Sequence, residues 1–142
     1  MRKLLILTLV CLLAVPTSAA PTDPPVKYVA LTFDDGPSGR FTQTLLDGLE
    51  ERGIPATFLL CGYRMEQYPD LVQRIYREGH EIGIHGYSHK CMGDMCLAEL
   101  EKEISDCMCL LPEGCEPAFL RPPGGKTSKR FAKRRQTPDF PC

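Results

Sequence analysis

The sequence lacks the features of a membrane bundle or a disordered chain. It has no tryptophan, only 8% aromatic residues and three histidines. Its one marked apolar run, Leu4 to Val15, is well short of the ~20 residues that a helix needs to cross a bilayer. The net charge is −1 over 142 residues, and 43% of the residues are hydrophobic. These values are typical of one globular domain.

The N-terminal segment has the pattern of a secretory signal peptide. A basic pair at residues 2–3 precedes the apolar run, and small residues at 16–20 offer a cleavage point. We therefore expect residues 1–20 to be removed and the proline-rich residues 21–26 to form an extended linker. The mature protein is expected to be secreted, either extracellular or at the cell wall, with no stable membrane span.

Charge is distributed unevenly along the chain. The segment from Lys27 to Arg121 has nine Lys/Arg and sixteen Asp/Glu, whereas Pro122 to Cys142 has six Lys/Arg and one Asp. A nucleic-acid-binding domain carries its positive charge on a structured face. The acidic body therefore argues against nucleic acid as a partner. A basic tail that binds anionic cell-wall polymers or nucleic acid remains an alternative.

Seven cysteines follow the predicted signal peptide, at positions 61, 91, 96, 107, 109, 115 and 142. In an exported protein such a cluster predicts disulfides that staple a loop-rich region. We expect two bridges within residues 91–115, with the pairing open, and an unpaired thiol at Cys142. Zinc bound by thiolates and free thiols are the two alternatives, although the spacings fit no standard zinc knuckle.

Apolar periodicity predicts alternating strands and helices. The predicted strands are residues 28–33, 56–60, 81–84 and 118–120, and the predicted helices are residues 41–52, 69–78 and 97–111. Short connections between them favour a parallel sheet or barrel built from βα units. A complete barrel has eight such units, so the α/β fold is expected to be a partial (β/α) barrel.

Reactive side chains follow three of the predicted strands. Asp34 and Asp35 follow the first strand, His85 and His89 the third, and Arg121 the fourth. Taken singly, each group has a simpler explanation: the two aspartates belong to a turn, the two histidines are loop residues, and the arginine is exposed on a rigid loop. The carboxyl ends of parallel strands meet at one edge of a sheet, however, so these groups are expected to converge.

One carboxylate and two imidazoles make a three-ligand site for a divalent metal ion, with zinc favoured and one position open for water. Such an ion acidifies water and polarises a carbonyl. Adjacent carboxylates on a turn point in different directions, so one can bind metal while the other serves as general base. This site suits hydrolysis of an ester or amide. His80 precedes the third strand at the opposite edge, and we interpret it as structural.

Three motifs together resemble the first three motifs of the polysaccharide deacetylases, carbohydrate esterase family four. They are Thr-Phe-Asp-Asp-Gly-Pro at 32–37, His-x-x-x-His at 85–89 and Arg-Pro-Pro-x-Gly at 121–125. The resemblance covers about residues 27–125, which it identifies as the N-terminal part of a catalytic domain. It implies a distorted (β/α) barrel that removes N-acetyl or O-acetyl groups from polysaccharides such as peptidoglycan, chitin or xylan.

The resemblance also implies a role for each site residue. Asp34 would be the general base, and Arg121 would hold its orientation and charge. The backbone N–H of Gly124 would stabilise an oxyanion. One divalent metal ion would be bound by three residues, Asp35, His85 and His89.

The sequence departs from the family pattern at several points. Gly86 stands where serine or threonine is usual, and Gly124 replaces a common aromatic residue. The fourth motif, with its aspartate and tryptophan, and the fifth, with its general-acid histidine, have no counterpart; no histidine follows His89. We therefore expect a C-terminally truncated domain with impaired activity. The alternative is an inactive fragment that binds metal or glycan without turnover.

Residues 126–142 form a predicted basic tail without an amphipathic stripe. Reading the codons from residue 129 onward one nucleotide out of frame can give an alanine-rich helix, a glycine stop and the start of a strand. That is the next βα unit the barrel requires. We therefore hypothesise a frameshift near codon 129, which genomic sequence beyond that codon would test.

Overall fold

The computed structural model describes residues 26–117 and 119–126. The predicted signal peptide, residues 21–25 of the predicted linker and Ala118 lie outside the described residues. Residues 127–142 of the predicted tail also lie outside them, and so does the segment to which the frameshift hypothesis applies.

Strands and helices alternate along most of the described chain. The strands are β1 (Thr32–Gly36), β2 (Thr57–Leu60) and β3 (Glu81–Ile84). The helices are α1 (Thr42–Arg52), α2 (Gly62–Gln67), α3 (Pro69–Arg77) and α4 (Leu97–Met108). Short 3₁₀ turns lie at Met92–Asp94 and Pro123–Gly125.

The three strands form one parallel sheet in the order β1-β2-β3. Thr57 pairs with Glu81 and Leu60 pairs with Ile84, so β2 and β3 are in register along their whole length. The far side of Ile84 makes an isolated parallel bridge to Leu120. All the carboxyl ends therefore lie at one edge, as the alternating pattern predicts.

The sequence explains where α1 ends and where α3 begins. α1 places Leu46 and Leu49 on its buried face and ends before Gly53, whose N–H bonds the carbonyl of Glu50. α3 begins at Pro69, which tolerates the first helical position because the missing N–H has no intrahelical partner there. These boundaries agree with the predicted helices to within one residue.

A single apolar cluster joins the sheet to the helices. Burying each large aliphatic side chain contributes about 1.5–3 kcal/mol to the free energy of unfolding. The cluster includes Leu46, Leu49, Phe58, Leu60, Met65, Val72, Ile75, Ile82, Ile84, Leu100 and Ile104. β2 and β3, which carry much of this cluster, therefore provide the rigid support for the loops at their carboxyl ends.

The structure corrects three parts of the predicted fold. β1 lies four residues later than predicted, and it is mostly exposed rather than buried, because within the described residues it pairs on one side only. α2 was not predicted; it is short and begins at Gly62, a poor helix former. The predicted fourth strand is reduced, in the described chain, to the single bridge at Leu120.

The amino edge of the sheet holds the histidine that the sequence analysis interpreted as structural. His80 is 7% exposed, and its Nδ1 accepts the N–H of Ala56 at 3.2 Å. The ring therefore fixes the start of β2 against the start of β3. No helix among the described residues is long and apolar enough to cross a membrane.

Candidate metal centre

The predicted site residues converge at the carboxyl edge of the sheet. Asp34 and Asp35 lie near the end of β1, His85 directly follows β3, and Arg121 follows the bridge residue Leu120. The N–H of His85 bonds the carbonyl of Leu60, and the N–H of Arg121 bonds the carbonyl of Ile84. Extended backbone pairing therefore continues past the strands and carries these residues to one place.

Asp35, His85 and His89 form a compact group of possible metal ligands. Asp35 Oδ1 lies 3.3 Å from Nε2 of His85 and 2.9 Å from Nε2 of His89. One ligand atom from each residue lies within 4.8 Å of the others. It is the one such group of His, Cys, Asp and Glu that the described residues contain.

Backbone conformation turns two of these ligands toward the third. Asp35 and His89 have φ values of 68° and 58°, in the left-handed region that residues other than glycine seldom adopt. Such a conformation costs on the order of 1–3 kcal/mol and persists only where its surroundings enforce it. Its occurrence at two residues of the same site is typical of a functional centre.

The orientation of His85 shows which of its nitrogens faces the site. The side chain is almost fully buried, and Nδ1 lies 2.7 Å from the carbonyl oxygen of Arg121. Because a carbonyl can only accept, Nδ1 carries the proton, and in the neutral ring Nε2 presents a lone pair toward Asp35. Two acceptors at this distance repel each other unless a proton or a cation lies between them.

The ligand spacing fits one divalent ion. Nitrogen and oxygen ligands at about 2.0–2.2 Å from a tetrahedral ion lie about 3.3–3.6 Å from one another. The Asp35–imidazole distances of 2.9 and 3.3 Å are close to that range. Two imidazoles and one carboxylate also match the ligand types of catalytic zinc sites, which leave further positions open.

Asp34 has a different partner from its neighbour. Arg121 Nη1 donates to Asp34 Oδ1 at 2.5 Å and to Thr32 Oγ1 at 3.2 Å. Arg121 thus contacts Asp34 through its guanidinium group and His85 through its carbonyl. This residue links the two halves of the site, a carboxylate held by arginine and a carboxylate held between two imidazoles.

The two site glycines lie in loops next to these ligands. Gly124 is exposed, has a φ of 66° and lies in the 3₁₀ turn that follows Arg121. Gly86 follows His85 with a φ of 82°. A Cβ at position 86 would lie 2.8 Å from Met92 Cε and 3.4 Å from Glu103 Oε2, so the usual serine or threonine would be crowded here.

The cysteine predictions are contradicted in the described residues. Cys91, Cys96, Cys107 and Cys115 are free thiols, so the two bridges expected within 91–115 are not formed. Burial raises the pKa of the Cys61 and Cys107 thiols to about 12. Burial therefore favours the neutral thiol over the thiolate at both residues. Cys142 lies outside the described residues.

Sequence reasoning missed the support behind the histidine loop. Glu103 of α4 accepts hydrogen bonds from the N–H of Ser88, at 2.8 Å, and from its Oγ, at 2.5 Å. The signal was present, because Glu103 interrupts the buried stripe of α4 that Leu100, Ile104 and Cys107 define. An acidic residue on that stripe needs a polar partner.

The fold and the site together define an α/β domain with a parallel sheet and a candidate divalent-metal centre, and comparisons with known proteins identify its family. The family model described as polysaccharide deacetylase matches residues 22–139. The chain therefore belongs to the polysaccharide deacetylases, as the three motifs predict.

Individual relatives agree with this assignment. A peptidoglycan-N-acetylglucosamine deacetylase of Bacillus cereus is 43% identical over 100 residues, which cover 69% of this chain and 36% of the relative. The structure of the peptidoglycan deacetylase PdaC from Bacillus subtilis matches with a TM-score of 0.74 and 34% identity, covering 81% of this chain and 58% of that one.

A third relative was solved with a metal ion. The family 4 acetyl xylan esterase from Clostridium thermocellum, in complex with a cobalt ion, matches with a TM-score of 0.70 and 36% identity. The match covers 73% of this chain and 52% of that one. This chain thus spans about half the length of these solved chains, and the fold it shares with them is a part of the domain.

Proposed function

We propose that this chain binds one divalent metal ion, zinc by preference, through Asp35, His85 and His89, and contributes to hydrolytic removal of acetyl groups from a polysaccharide. The observation that carries the proposal is the lone pair of His85 Nε2 facing the Asp35 carboxylate at 3.3 Å. When bound, a divalent ion supplies Lewis-acid polarisation of a carbonyl and makes water more acidic.

Asp34 is the proposed general base. Arg121 engages its Oδ1, and within the described part of the chain its Oδ2 has no hydrogen-bond donor. Oδ2 is therefore the oxygen that would take the proton from an attacking water molecule. The guanidinium group holds the carboxylate in place, so that proton transfer needs no rearrangement of the base.

The residues after Arg121 are proposed to stabilise the oxyanion. Gly124 lies in the exposed turn that begins two residues after Arg121, the residue that holds the proposed base. A backbone N–H in such a turn can donate to the oxygen that becomes negative when water attacks the acetyl carbonyl. A side chain is not required for this contact, which is consistent with glycine at the position.

The substrate proposed is an acetylated cell-wall polysaccharide, either peptidoglycan or chitin. The named activities of the two peptidoglycan deacetylases above support this class. The predicted signal peptide, if confirmed, would bring the protein to such a substrate outside the cell. The acidic body between Lys27 and Arg121 supports a neutral or cationic ligand over nucleic acid.

Binding of metal or glycan without turnover is the second candidate. It is favoured by the exposure of β1 and of the apolar residues just before it, since Tyr28 is 89% and Val29 86% exposed. An open strand edge of this kind destabilises the arrangement that holds Asp34 and Asp35, because it invites other pairings.

Acetate release distinguishes the two candidates. The full chain is incubated with N-acetylated chitooligosaccharide and with peptidoglycan, with and without a chelator, and acetate is measured. Activity that the chelator abolishes and zinc restores supports the hydrolase. Stoichiometric zinc binding without acetate supports the inert candidate, and absence of zinc binding contradicts both metal-based functions.

A further inference from the structure

The loop that carries both histidine ligands is held from two sides. On one side, the N–H groups of Gly62 and Tyr63, at the start of α2, donate to the carbonyls of Gly86 and Tyr87 at 3.0 and 3.1 Å. On the other side, α4 supplies Glu103, whose two carboxylate oxygens each accept one hydrogen bond from Ser88. Successive residues of the loop are thus fixed by different helices.

Ser88 is the residue at which support matters most for metal binding. It directly precedes His89, whose left-handed backbone directs the imidazole toward Asp35. That conformation is unfavourable by itself for a residue with a side chain, so an external contact has to maintain it. Glu103 holds Ser88 by both its backbone and its side chain, which fixes the peptide that enters His89.

The glycine after the first histidine leaves room beside this contact. A Cβ at position 86 would lie 3.4 Å from Glu103 Oε2. Any larger side chain that followed this Cβ would compete for the space that the carboxylate occupies. The hydroxyl that the family pattern places at position 86 is absent, and the chain supplies a hydroxyl from Ser88 to the α4 carboxylate instead.

We propose that Glu103 is a positioning residue for the metal centre, which acts through Ser88 to set the orientation of His89. The proposal rests on the proposed function for one premise only, that Asp35, His85 and His89 bind a divalent ion. Groups hydrogen-bonded directly to a metal ligand typically change metal affinity 10- to 100-fold when they are lost. Glu103 acts through Ser88, so its loss is expected at the low end of that range.

The test uses Co²⁺ as the probe, because its visible absorption reports the geometry of its ligands. Three variants are compared with the wild-type chain: Glu103→Ala removes both acceptors, Glu103→Gln keeps one acceptor and adds a donor, and Ser88→Ala removes the hydroxyl alone. Asp106→Ala is the matched control, since Asp106 is also on α4 and, among the residues that the structure describes, forms its ion pair with exposed Lys102.

We expect Glu103→Ala to weaken Co²⁺ binding on the order of 10-fold and to alter the visible spectrum. Ser88→Ala should have a smaller effect in the same direction. Glu103→Gln should recover most of the affinity and the wild-type spectrum, whereas Asp106→Ala should match the wild type. Urea unfolding of each metal-free variant shows whether the fold itself is lost; where Glu103→Ala fails to fold, Ser88→Ala carries the test.

The outcomes separate this proposal from the one before it. A wild-type chain that does not bind Co²⁺ contradicts the proposed function and removes the premise here. A wild-type chain that binds Co²⁺, with folded Glu103→Ala and Ser88→Ala variants of unchanged affinity and spectrum, overturns the positioning role alone.

Discussion

The two ends of β3 each carry a buried histidine, and the comparison of the two shows what separates a candidate metal ligand from a histidine that only supports the fold. His80, at the amino end, is 7% exposed, and His85, at the carboxyl end, is 4% exposed. Each ring uses Nδ1 for a backbone contact, with Ala56 and Arg121 respectively. Burial and backbone tethering are therefore the same at both ends.

The difference lies in the second nitrogen. His80 Nδ1 accepts a backbone N–H, so the neutral ring carries its proton on Nε2; this atom has no hydrogen-bond partner within the described residues. His85 Nδ1 donates, so its Nε2 presents a lone pair to Asp35 and lies near a second imidazole. The amino end therefore stabilises the fold, whereas the carboxyl end presents a ligand.

The largest expected effect at the carboxyl end concerns Asp34. Asp34→Asn removes the proposed proton acceptor and should lower acetate release by about 10²–10⁴-fold. Zinc affinity should change little, because Asp34 contacts Arg121 and not the two histidines. Turnover and isothermal titration with zinc are measured on the same preparation. A large loss of zinc binding would mean that the roles of Asp34 and Asp35 are reversed.

The direct contrast between the two ends is a pair of matched substitutions. His85→Gln should weaken zinc binding by more than about 100-fold, beyond the effect typical of groups behind the ligands. His80→Gln should leave zinc affinity unchanged and lower the midpoint of urea unfolding, because it disturbs the contact with Ala56. Equal effects of both substitutions on zinc affinity would remove the distinction drawn here.

A substitution at Gly62 tests the close packing of α2 against the loop that follows β3. A Cβ at Gly62 would lie 2.9 Å from the backbone Cα of Tyr87, and backbone cannot rotate away. Gly62→Ala should therefore destabilise the fold by about 1–3 kcal/mol. The control Gly48→Ala lies in α1, where the Cβ would meet only the flexible end of Arg52, at 3.5 Å, and should stabilise by about 0.5–1 kcal/mol. Urea denaturation measures both, and a neutral Gly62→Ala would show that the close approach is not maintained.

The smallest expected effect is a pH dependence of stability from the amino end. Burial lowers the pKa of His80, nearby Glu78 opposes this shift and Arg74 adds to it. Between the lowered pKa of His80 in the folded chain and its pKa of about 6.5 in the unfolded chain, the unfolded chain therefore binds more protons than the folded chain. The free energy of unfolding should fall as the pH falls from about 6.5 through the folded pKa.

The measurement for this prediction is urea unfolding with chelator at several pH values, for the wild type and His80→Gln. The two proteins differ only at residue 80, so the difference between their pH profiles isolates His80. His80→Gln should lose less stability than the wild type between neutral and acidic pH. Identical pH profiles would contradict the assignment of this dependence to His80.

The sequence was sufficient to predict the convergence of the site. Asp34, Asp35, His85, His89 and Arg121 each follow a predicted strand, and parallel strands end at one edge. The short loops fixed the direction of the strands, and the apolar periodicity of α1, α3 and α4 located the helices. The position of the site therefore depended on topology alone, which small errors in strand boundaries do not change.

The remaining features depend on contacts between distant residues. β1 is displaced toward the motif because its pairing with β2, and not its own apolar run, decides where the strand begins. The sequence of α2 has no apolar stripe from which a helix could be predicted. The contact between Ser88 and Glu103 joins residues fifteen apart on different elements. Whether two cysteines can form a disulfide depends on the distance between them in the fold, which their separation in the sequence does not give.

X-ray absorption of the full chain loaded with one equivalent of zinc tests the central claim most directly. If Asp35, His85 and His89 bind the ion, the first shell should contain nitrogen and oxygen only, at about 2.0–2.2 Å, with the outer-shell scattering of two imidazoles. A sulfur shell at about 2.3 Å would place the zinc on the cysteines and contradict the account.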